Sequence, residues 1–359
     1  MDLLLAHDYL IQMGGAERVV ATMHRRFPKA PLFTSAVCRR SLWSDFADAD
    51  IRTTWLQHAP FIEHHTHFKK YLPLYPLAFR SFGILHADRA WISSSTFAKY
   101  LRFTPDSHTV CYIHNPTRFL WQTDEYLDHE VRHSLVNRFV RVFLPPFRQI
   151  DRAAAQRMKV LVANSRNVQE RIRRFYDRES IVIPPPVRTD RFTVSHENDG
   201  SYLIVSRLLG YKNIDLAVRA FSKSGKRLII LGEGPYRAEL EKMAGPSVRF
   251  LGRLPDEEVR EHFARCRAFL FPGHEDFGIT PVEAMACGKP VVAFKRGGAL
   301  ETVVEGKSGV FFDTPDAESL GSAVDRLEST TWYPEAIRTH AEQFSEANFL
   351  SKMESALFQ

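Results

Sequence analysis

Glu275 and Glu283 stand with seven residues between them, inside the run His274-Glu275-Asp276-Phe277-Gly278-Ile279-Thr280-Pro281-Val282-Glu283-Ala284-Met285-Ala286-Cys287-Gly288-Lys289-Pro290. The apolar run Arg267–Gly273 before it reads as a buried strand, and Val291–Phe294 after it as another. Gly278 to Met285 has the length and pattern of a helix, with Gly288 just past its end. The segment is therefore strand, polar loop, helix, strand. In an open parallel sheet such a loop lies at the carboxyl end of a strand, where ligands bind. The unpaired N–H groups of a helix start favour an anion there. On a single helix the two carboxylates would lie about 12 Å apart along the axis. The acid/base pair of a glycoside hydrolase needs roughly 5–9.5 Å. Glu275 and Glu283 are thus better suited to holding different parts of one long ligand.

A second candidate is Ser206-Arg207-Leu208-Leu209-Gly210-Tyr211-Lys212-Asn213, directly after the strand-like Tyr202–Val205. Arg207 can grip a diphosphate through two donors and Lys212 as a point charge. Taken alone, the pair reads equally well as a solvated basic loop. Gly14-Gly15-Ala16-Glu17 sets paired glycines at a helix start, where a ligand can approach the backbone at Gly15. It lacks the Gly-x-Gly-x-x-Gly fingerprint of a dinucleotide site, and on spacing alone it is a loop. His114, in Cys111-Tyr112-Ile113-His114-Asn115-Pro116-Thr117-Arg118-Phe119-Leu120-Trp121, falls at the end of a strand. A lone histidine is more often structural than catalytic. Gly232-Glu233-Gly234-Pro235 reads as a strand-to-helix turn, either a tight connection or backbone set close to a ligand.

Two stretches resemble metal sites without satisfying the requirements of one. Glu63-His64-His65-Thr66-His67 is polar, with no second ligand group nearby, and Asp48-Ala49-Asp50 precedes a strand where a metal-binding pair would end one. Neither is taken as a metal site. Val131–Leu144 carries Arg132, Arg138 and Arg141 beside an apolar stripe. It reads as a core-facing helix with a solvated basic face, or as a peripheral contact with a membrane surface that presents a lipid-linked acceptor.

These residues are positioned by two alternating series of elements. The first has strands at Leu3–His7, Ala30–Ala36, Ile51–Leu56, Ala90–Ser94, Thr109–Ile113 and Val160–Ala163. It has helices at Ala16–Arg25 and over Glu125–Arg157, the latter broken at Pro145-Pro146. After Ile183-Pro184-Pro185-Pro186 and the polar linker Ser195–Ser201, the second series runs through strands at Tyr202–Val205, Arg227–Leu231 and Val248–Leu251. Helices lie near Asn213–Ser222 and begin at Tyr236 and Asp256, and one or two more close the chain from Pro334. Strands alternating with helices mean parallel sheets covered on both faces, giving an α/β protein of two Rossmann-like domains facing a cleft. The 359 residues suffice for two such domains. A net charge of +6 favours acidic ligands without choosing among them. Four widely spaced cysteines, two of them (Cys111 and Cys287) in or beside apolar runs, suit a reducing cytoplasm. No apolar run reaches the roughly 20 residues of a membrane span, so any membrane contact is peripheral.

The Glu-x7-Glu pattern, with Phe-Gly-Ile inside it and Glu-Ala-Met-Ala-Cys-Gly-Lys-Pro after, resembles the retaining glycosyltransferases of the GT-B fold, family 4. His7-Asp8-Tyr9-Leu10 leading to Gly-Gly-Ala-Glu-Arg-Val is similar to that family's start. The His-x-Pro-x-Arg segment at His114, Tyr71–Phe79 and Ile92–Ser95 with Ala98-Lys99 resemble a branch that makes bacterial surface polysaccharides, some of whose members are mannosyltransferases. The resemblance runs from His7 to Gly309. It implies transfer of a hexose from a nucleotide sugar, with GDP-mannose as donor, to a glycan or lipid-linked acceptor, with no cofactor and no metal. It implies an acceptor-binding domain over residues 1–190 and a nucleotide-sugar-binding domain over 191–339, with a helix at about 340–359 packing back on the first. Arg207 and Lys212 would neutralise the donor diphosphate, with backbone groups near Gly278 and Ile279 adding N–H donors. Glu275 would hold sugar hydroxyls, Glu283 the ribose, and His114 the sugar near its 6-position. Gly15, Gly232 and Phe277 would complete the donor site. Closure of the domains would exclude water.

Other readings fit less well. An NAD-dependent oxidoreductase lacks its glycine fingerprint, and a nucleic-acid binder lacks a clustered basic patch with interleaved aromatics. A UDP-sugar donor keeps the same fold and chemistry. A catalytically silent partner subunit is opposed by the intact set Arg207, Lys212, Glu275 and Glu283. Arg188 replaces an acidic residue common in the branch after the Pro-Pro-Val, and Asn115 and Thr117 also depart from it.

Overall fold

Runs such as Leu228–Leu231 and Val291–Phe294 are apolar at every position because both faces of their sheet are covered, as parallel sheets require. The computed structural model describes residues 2–64, 67–122 and 134–359. The chain divides into two compact units, Met1–Pro184 with Leu350–Gln359, and Pro185–Phe349.

The first unit holds a seven-stranded sheet in the order β3-β2-β1-β5-β7-β8-β9. Its strands are β1 (Leu3–His7), β2 (Leu32–Thr34), β3 (Ile51–Thr53), β5 (Arg89–Ser94), β7 (His108–Ile113), β8 (Val160–Ala163) and β9 (Ile181–Val182). Every pairing is parallel. Two short strands that sequence patterning missed, β4 (Ile84–Leu85) and β6 (Arg102–Phe103), pair by themselves. The expected strands at Ala30–Ala36 and Ile51–Leu56 are shorter, the second giving way to a 3-10 turn at Trp55–His58. The break expected at Pro145-Pro146 does not occur, since one helix runs Ser134–Gln156 through both prolines. Each proline deletes a backbone donor, but the turns beyond are anchored by Asp151, Ala154 and Ala155, all fully buried. Of the helix expected over Glu125–Arg157, residues 125–133 lie outside the described residues, as do the side chains of 134–143, and with them the basic face at Arg132, Arg138 and Arg141. No helix among the described residues is long and apolar enough to cross a membrane. The closing helix Glu346–Phe358 brings Glu354 to Arg26, the Ala356 carbonyl to His108 Nε2 at 2.9 Å, and the Phe358 ring under Arg89.

The second unit holds a six-stranded parallel sheet, ordered β12-β11-β10-β13-β14-β15. These are β10 (Tyr202–Val205), β11 (Leu228–Leu231), β12 (Val248–Gly252), β13 (Ala268–Phe271), β14 (Val291–Phe294) and β15 (Gly309–Phe312). Alternate side chains enter opposite layers, as a period of two demands. Leu203, Ile229, Phe269, Phe271, Val291 and Ala293 share one core with the helix Ile279–Ala286. Ile204, Ile230, Leu270, Val292 and Val310 share the other with the helices Ile214–Ser224 and Ala317–Glu328.

Candidate functional site

In a doubly wound sheet, ligands bind outside the carboxyl ends of the strands where the strand order reverses. In the second unit that point lies between β10 and β13, which are adjacent in space but far apart in sequence. The loop after β10 carries Arg207 and Lys212, and the loop after β13 carries Glu275. Lys212 Nζ lies 2.5 Å from Glu275 Oε1, with 11% and 29% of the two side chains exposed. Ser206, Lys212, Gly273 and Glu275 line one small cavity. The Arg207 side chain is exposed and makes no ion pair among the described residues.

Glycines let these loops approach one another. A Cβ on Gly232 (φ +126°) would fall 1.9 Å from the Ser206 carbonyl oxygen, and one on Gly234 2.2 Å from that of Leu208. The Gly232–Pro235 turn therefore lies directly against the Arg207 loop, and Leu208 N–H donates to the Glu233 carbonyl at 3.0 Å. On the other side, Gly298 N–H donates to the Glu275 carbonyl at 2.8 Å, and a Cβ on Gly298 would collide with the Phe277 backbone. Sequence reasoning missed Gly297-Gly298. The available signal was a glycine pair shortly after a strand and just before a helix.

The helix Ile279–Ala286 starts from Gly278, whose φ of +87° glycine adopts without steric cost. Its first turn has N–H groups without helical partners. Glu283 is buried on this helix, 7% exposed. The Phe277 ring is in the core, edge-on to Phe344, so its backbone is what it offers a ligand. Burial pushes the Cys287 thiol up to about 12, which leaves it protonated and a poor nucleophile.

The first unit repeats the arrangement, with its reversal between β1 and β5. Asp8, just after β1, accepts from the backbone N–H groups of Ser95, Thr96, Phe97 and Ala98, just after β5, at 2.5–2.9 Å. Burial opposes its charge, but His7, those N–H groups and Lys99 prevail and lower its pKa. His114, at the end of β7, has Nε2 2.8 Å from Ser93 Oγ. Gly15 is exposed at the start of the helix Gly15–Arg26, while the N–H of Gly14 donates to Glu17 Oε2 at 2.9 Å. Lys99 and Asp151 form a fully buried ion pair at 2.9 Å, to which Thr117 Oγ1 is bonded on both sides. Sequence reasoning named none of His7, Asp8, Ser93 or Asp151 as a site residue. Such groups are recognisable only once the strands that carry them are adjacent.

Among the described residues no three His, Cys, Asp or Glu side chains are grouped as metal ligands. His65 and Thr66 of the Glu63–His67 stretch lie outside them, and Asp50 pairs with Arg52 at 2.9 Å.

Residues 187–345 match the family model of group 1 glycosyl transferases, and residues 13–191 that of glycosyltransferase family 4. A GDP-mannose-dependent alpha-(1-6)-phosphatidylinositol monomannoside mannosyltransferase of Mycolicibacterium smegmatis is 34% identical over 175 residues, 40% of this chain and 46% of that one. The O-antigen chain mannosyltransferase C of Escherichia coli is 28% identical over 196 residues, 49% of this chain and 53% of that one. The chain thus spans about half the length of the curated relatives it matches. Among solved structures, Anabaena HepE in complex with UDP superposes with a TM-score of 0.71 at 18% identity, covering 99% of both chains. The sucrose-phosphate synthase of Thermosynechococcus elongatus superposes with a TM-score of 0.71 at 16% identity, covering 99% of this chain and 98% of that one. With two parallel-sheet units and adjoining family matches from residue 13 to residue 345, the chain belongs to glycosyltransferase family 4, of the GT-B fold.

Proposed function

We propose that this protein transfers a hexose from a nucleotide sugar, GDP-mannose, to a glycan or lipid-linked acceptor, with retention of configuration and without a metal ion. The observation that carries this reading is the Lys212–Glu275 pair at the strand-order reversal of the second sheet, beside a helix N-terminus. A cation and a carboxylate paired there, three residues ahead of Gly278 at a helix start, suit a ligand that joins a diphosphate to a polyhydroxylated ring. In the reaction the bond from the anomeric carbon to the diphosphate oxygen breaks, and one to the acceptor oxygen forms on the same face. The acceptor proton passes to the departing phosphate. Negative charge grows on that phosphate, so fixed donors at Arg207, Lys212 and the backbone of Gly278 and Ile279 lower the barrier. Glu275 holds the hydroxyls at the 3 and 4 positions of the sugar, Glu283 holds the ribose, and His114 contacts the sugar near its 6-position. A lipid-linked acceptor would put the reaction at the cytoplasmic face of a membrane.

The mannose assignment is supported by the names of the two matching mannosyltransferases. A UDP-sugar donor is the second reading, favoured by the structural likeness to HepE, which was solved with UDP-glucose. Calorimetric titration with GDP, GDP-mannose, UDP, UDP-glucose and NAD, repeated in EDTA, tests both. Selective GDP binding that survives EDTA is the expected result. UDP binding would move the donor to a UDP-sugar. Binding of NAD alone, or of no nucleotide, would overturn the proposal.

A further inference from the structure

Four side chains in the first unit form an unbroken line through its interior: Glu17, His7, Ser93 and His114. Glu17 Oε1 lies 3.7 Å from His7 Nε2. On its other edge, His7 Nδ1 lies 3.2 Å from the Ser93 carbonyl oxygen and 3.1 Å from Ser93 Oγ. Ser93 Oγ then lies 2.8 Å from His114 Nε2. Only His114 is partly exposed, while the other three are 3% exposed or less. The line joins the start of the helix Gly15–Arg26 to the ends of β1, β5 and β7.

The acceptors around each nitrogen point to where the protons sit. A backbone carbonyl can only accept, so His7 Nδ1 carries a proton. A carboxylate faces Nε2 at 3.7 Å, which favours a proton on that nitrogen as well. Ser93 Oγ, already facing one N–H donor, turns its own proton toward the remaining acceptor, His114 Nε2. The ring of His114 is then protonated at Nδ1, because the bond made by one imidazole nitrogen decides the state of the other. Burial disfavours charge on His7, but the nearby Glu17 carboxylate, the charge of Asp8 and the Ser93 carbonyl outweigh it and raise its pKa. Glu17 is also held in place, since its second oxygen accepts from Gly14 N–H at 2.9 Å.

We propose that Glu17, His7 and Ser93 are positioning residues that lock His114 as the Nδ1–H tautomer with its ring orientation fixed. The consequence for transfer rests on the role proposed above for His114, whereas the tautomer itself does not.

The test is nitrogen-15 NMR of the full chain labelled at histidine, with the His114 signals identified by their loss in His114→Gln. The unaltered chain is expected to show His114 with a bare Nε2 and a protonated Nδ1. Ser93→Ala is expected to return it to a mixture of tautomers and to lower kcat, more than it changes KM, by about 10- to 100-fold, the size typical when a partner orienting a functional imidazole is removed. A protonated Nε2 in the unaltered chain overturns the proposal, and this needs no variant to fold. An unchanged His114 spectrum in Ser93→Ala overturns it as well. A changed spectrum with unchanged transfer supports the lock and removes His114 from the reaction.

Discussion

Lys212 Nζ and Glu275 Oε1 are 2.5 Å apart across the point where the strand order of the second sheet reverses. This couples the group proposed to hold the diphosphate to the one proposed to hold the sugar. The two should therefore fail differently. Lys212→Ala removes positive charge where the leaving group becomes anionic, so transfer should fall by about 10²–10³-fold, with GDP binding weakened as well. Glu275→Gln keeps the shape and loses the charge, so transfer should fall while GDP binding is kept. Steady-state kinetics beside GDP titration separate these cases. Unchanged turnover in either variant would remove that residue's role.

Gly232 makes the close packing of its turn against the Arg207 loop stereochemically possible. With φ at +126° and the Ser206 carbonyl oxygen 1.9 Å from a would-be Cβ, Gly232→Ala must push the Arg207 loop aside. The expected cost is about 2 kcal/mol or more. Gly306, at φ +73° with nothing within 4 Å, isolates backbone strain from collision, and its alanine variant should cost about 1 kcal/mol. Urea unfolding of the two variants gives the comparison. Equal losses would mean the close approach to Ser206 does not matter.

The second unit was the more legible in sequence. Its strands are short runs of apolar residues; the loops bearing Arg207, Lys212 and Glu275, and the helix bearing Glu283, follow strands that patterning alone located. The reason for Gly232 was not legible, because its contact is with Ser206, a neighbour only after folding. The first unit hid more. The interior line Glu17–His7–Ser93–His114 draws on one helix and three strands brought together by parallel crossovers, and no local spacing records it. The helix through Pro145 and Pro146 was unreadable for a related reason. What holds it is the tertiary burial of Asp151, Ala154 and Ala155, which local propensity does not encode.

Asp8 gives the first unit an acid-sensitive joint. Its carboxylate accepts four consecutive backbone N–H groups, and its pKa is lowered because His7, those N–H groups and Lys99 outweigh the burial that opposes its charge. A group with a depressed folded pKa stabilises the fold above its unfolded value, about 3.9 for Asp. That contribution is lost as pH falls through the folded value. Asp8→Asn turns an amide donor toward the N–H row and should cost about 3 kcal/mol at neutral pH. The gap between the unaltered chain and the variant should close as pH falls below about 4. A gap independent of pH in urea unfolding at graded acidity would exclude the charge of Asp8 as its source.

Lys99 and Asp151 are 1% and 0% exposed, yet their dependence on each other is unequal. Asp151 also accepts from Tyr100 and Tyr176 hydroxyls, Thr117 Oγ1 and Trp121 Nε1, at 2.8–3.0 Å. Among the described residues, Lys99 has in addition the Thr96 carbonyl, Thr117 Oγ1 and the faces of the Tyr100 and Tyr176 rings, all of them neutral. Removing one partner of a buried pair costs about 3–5 kcal/mol, because the other charge is left uncompensated. Asp151→Asn leaves an ammonium with neutral partners, so it should show that full loss. Lys99→Met leaves a carboxylate still served by four donors, so its loss should be about 2 kcal/mol. Thr117 bonds to both members and lies three residues beyond His114, so Asp151→Asn should also loosen that segment. Urea unfolding gives the order of the two losses, and amide exchange over residues 114–118 gives the loosening. If Lys99→Met proves the more damaging, the four donors do not hold the carboxylate, and the site depends on the ammonium instead.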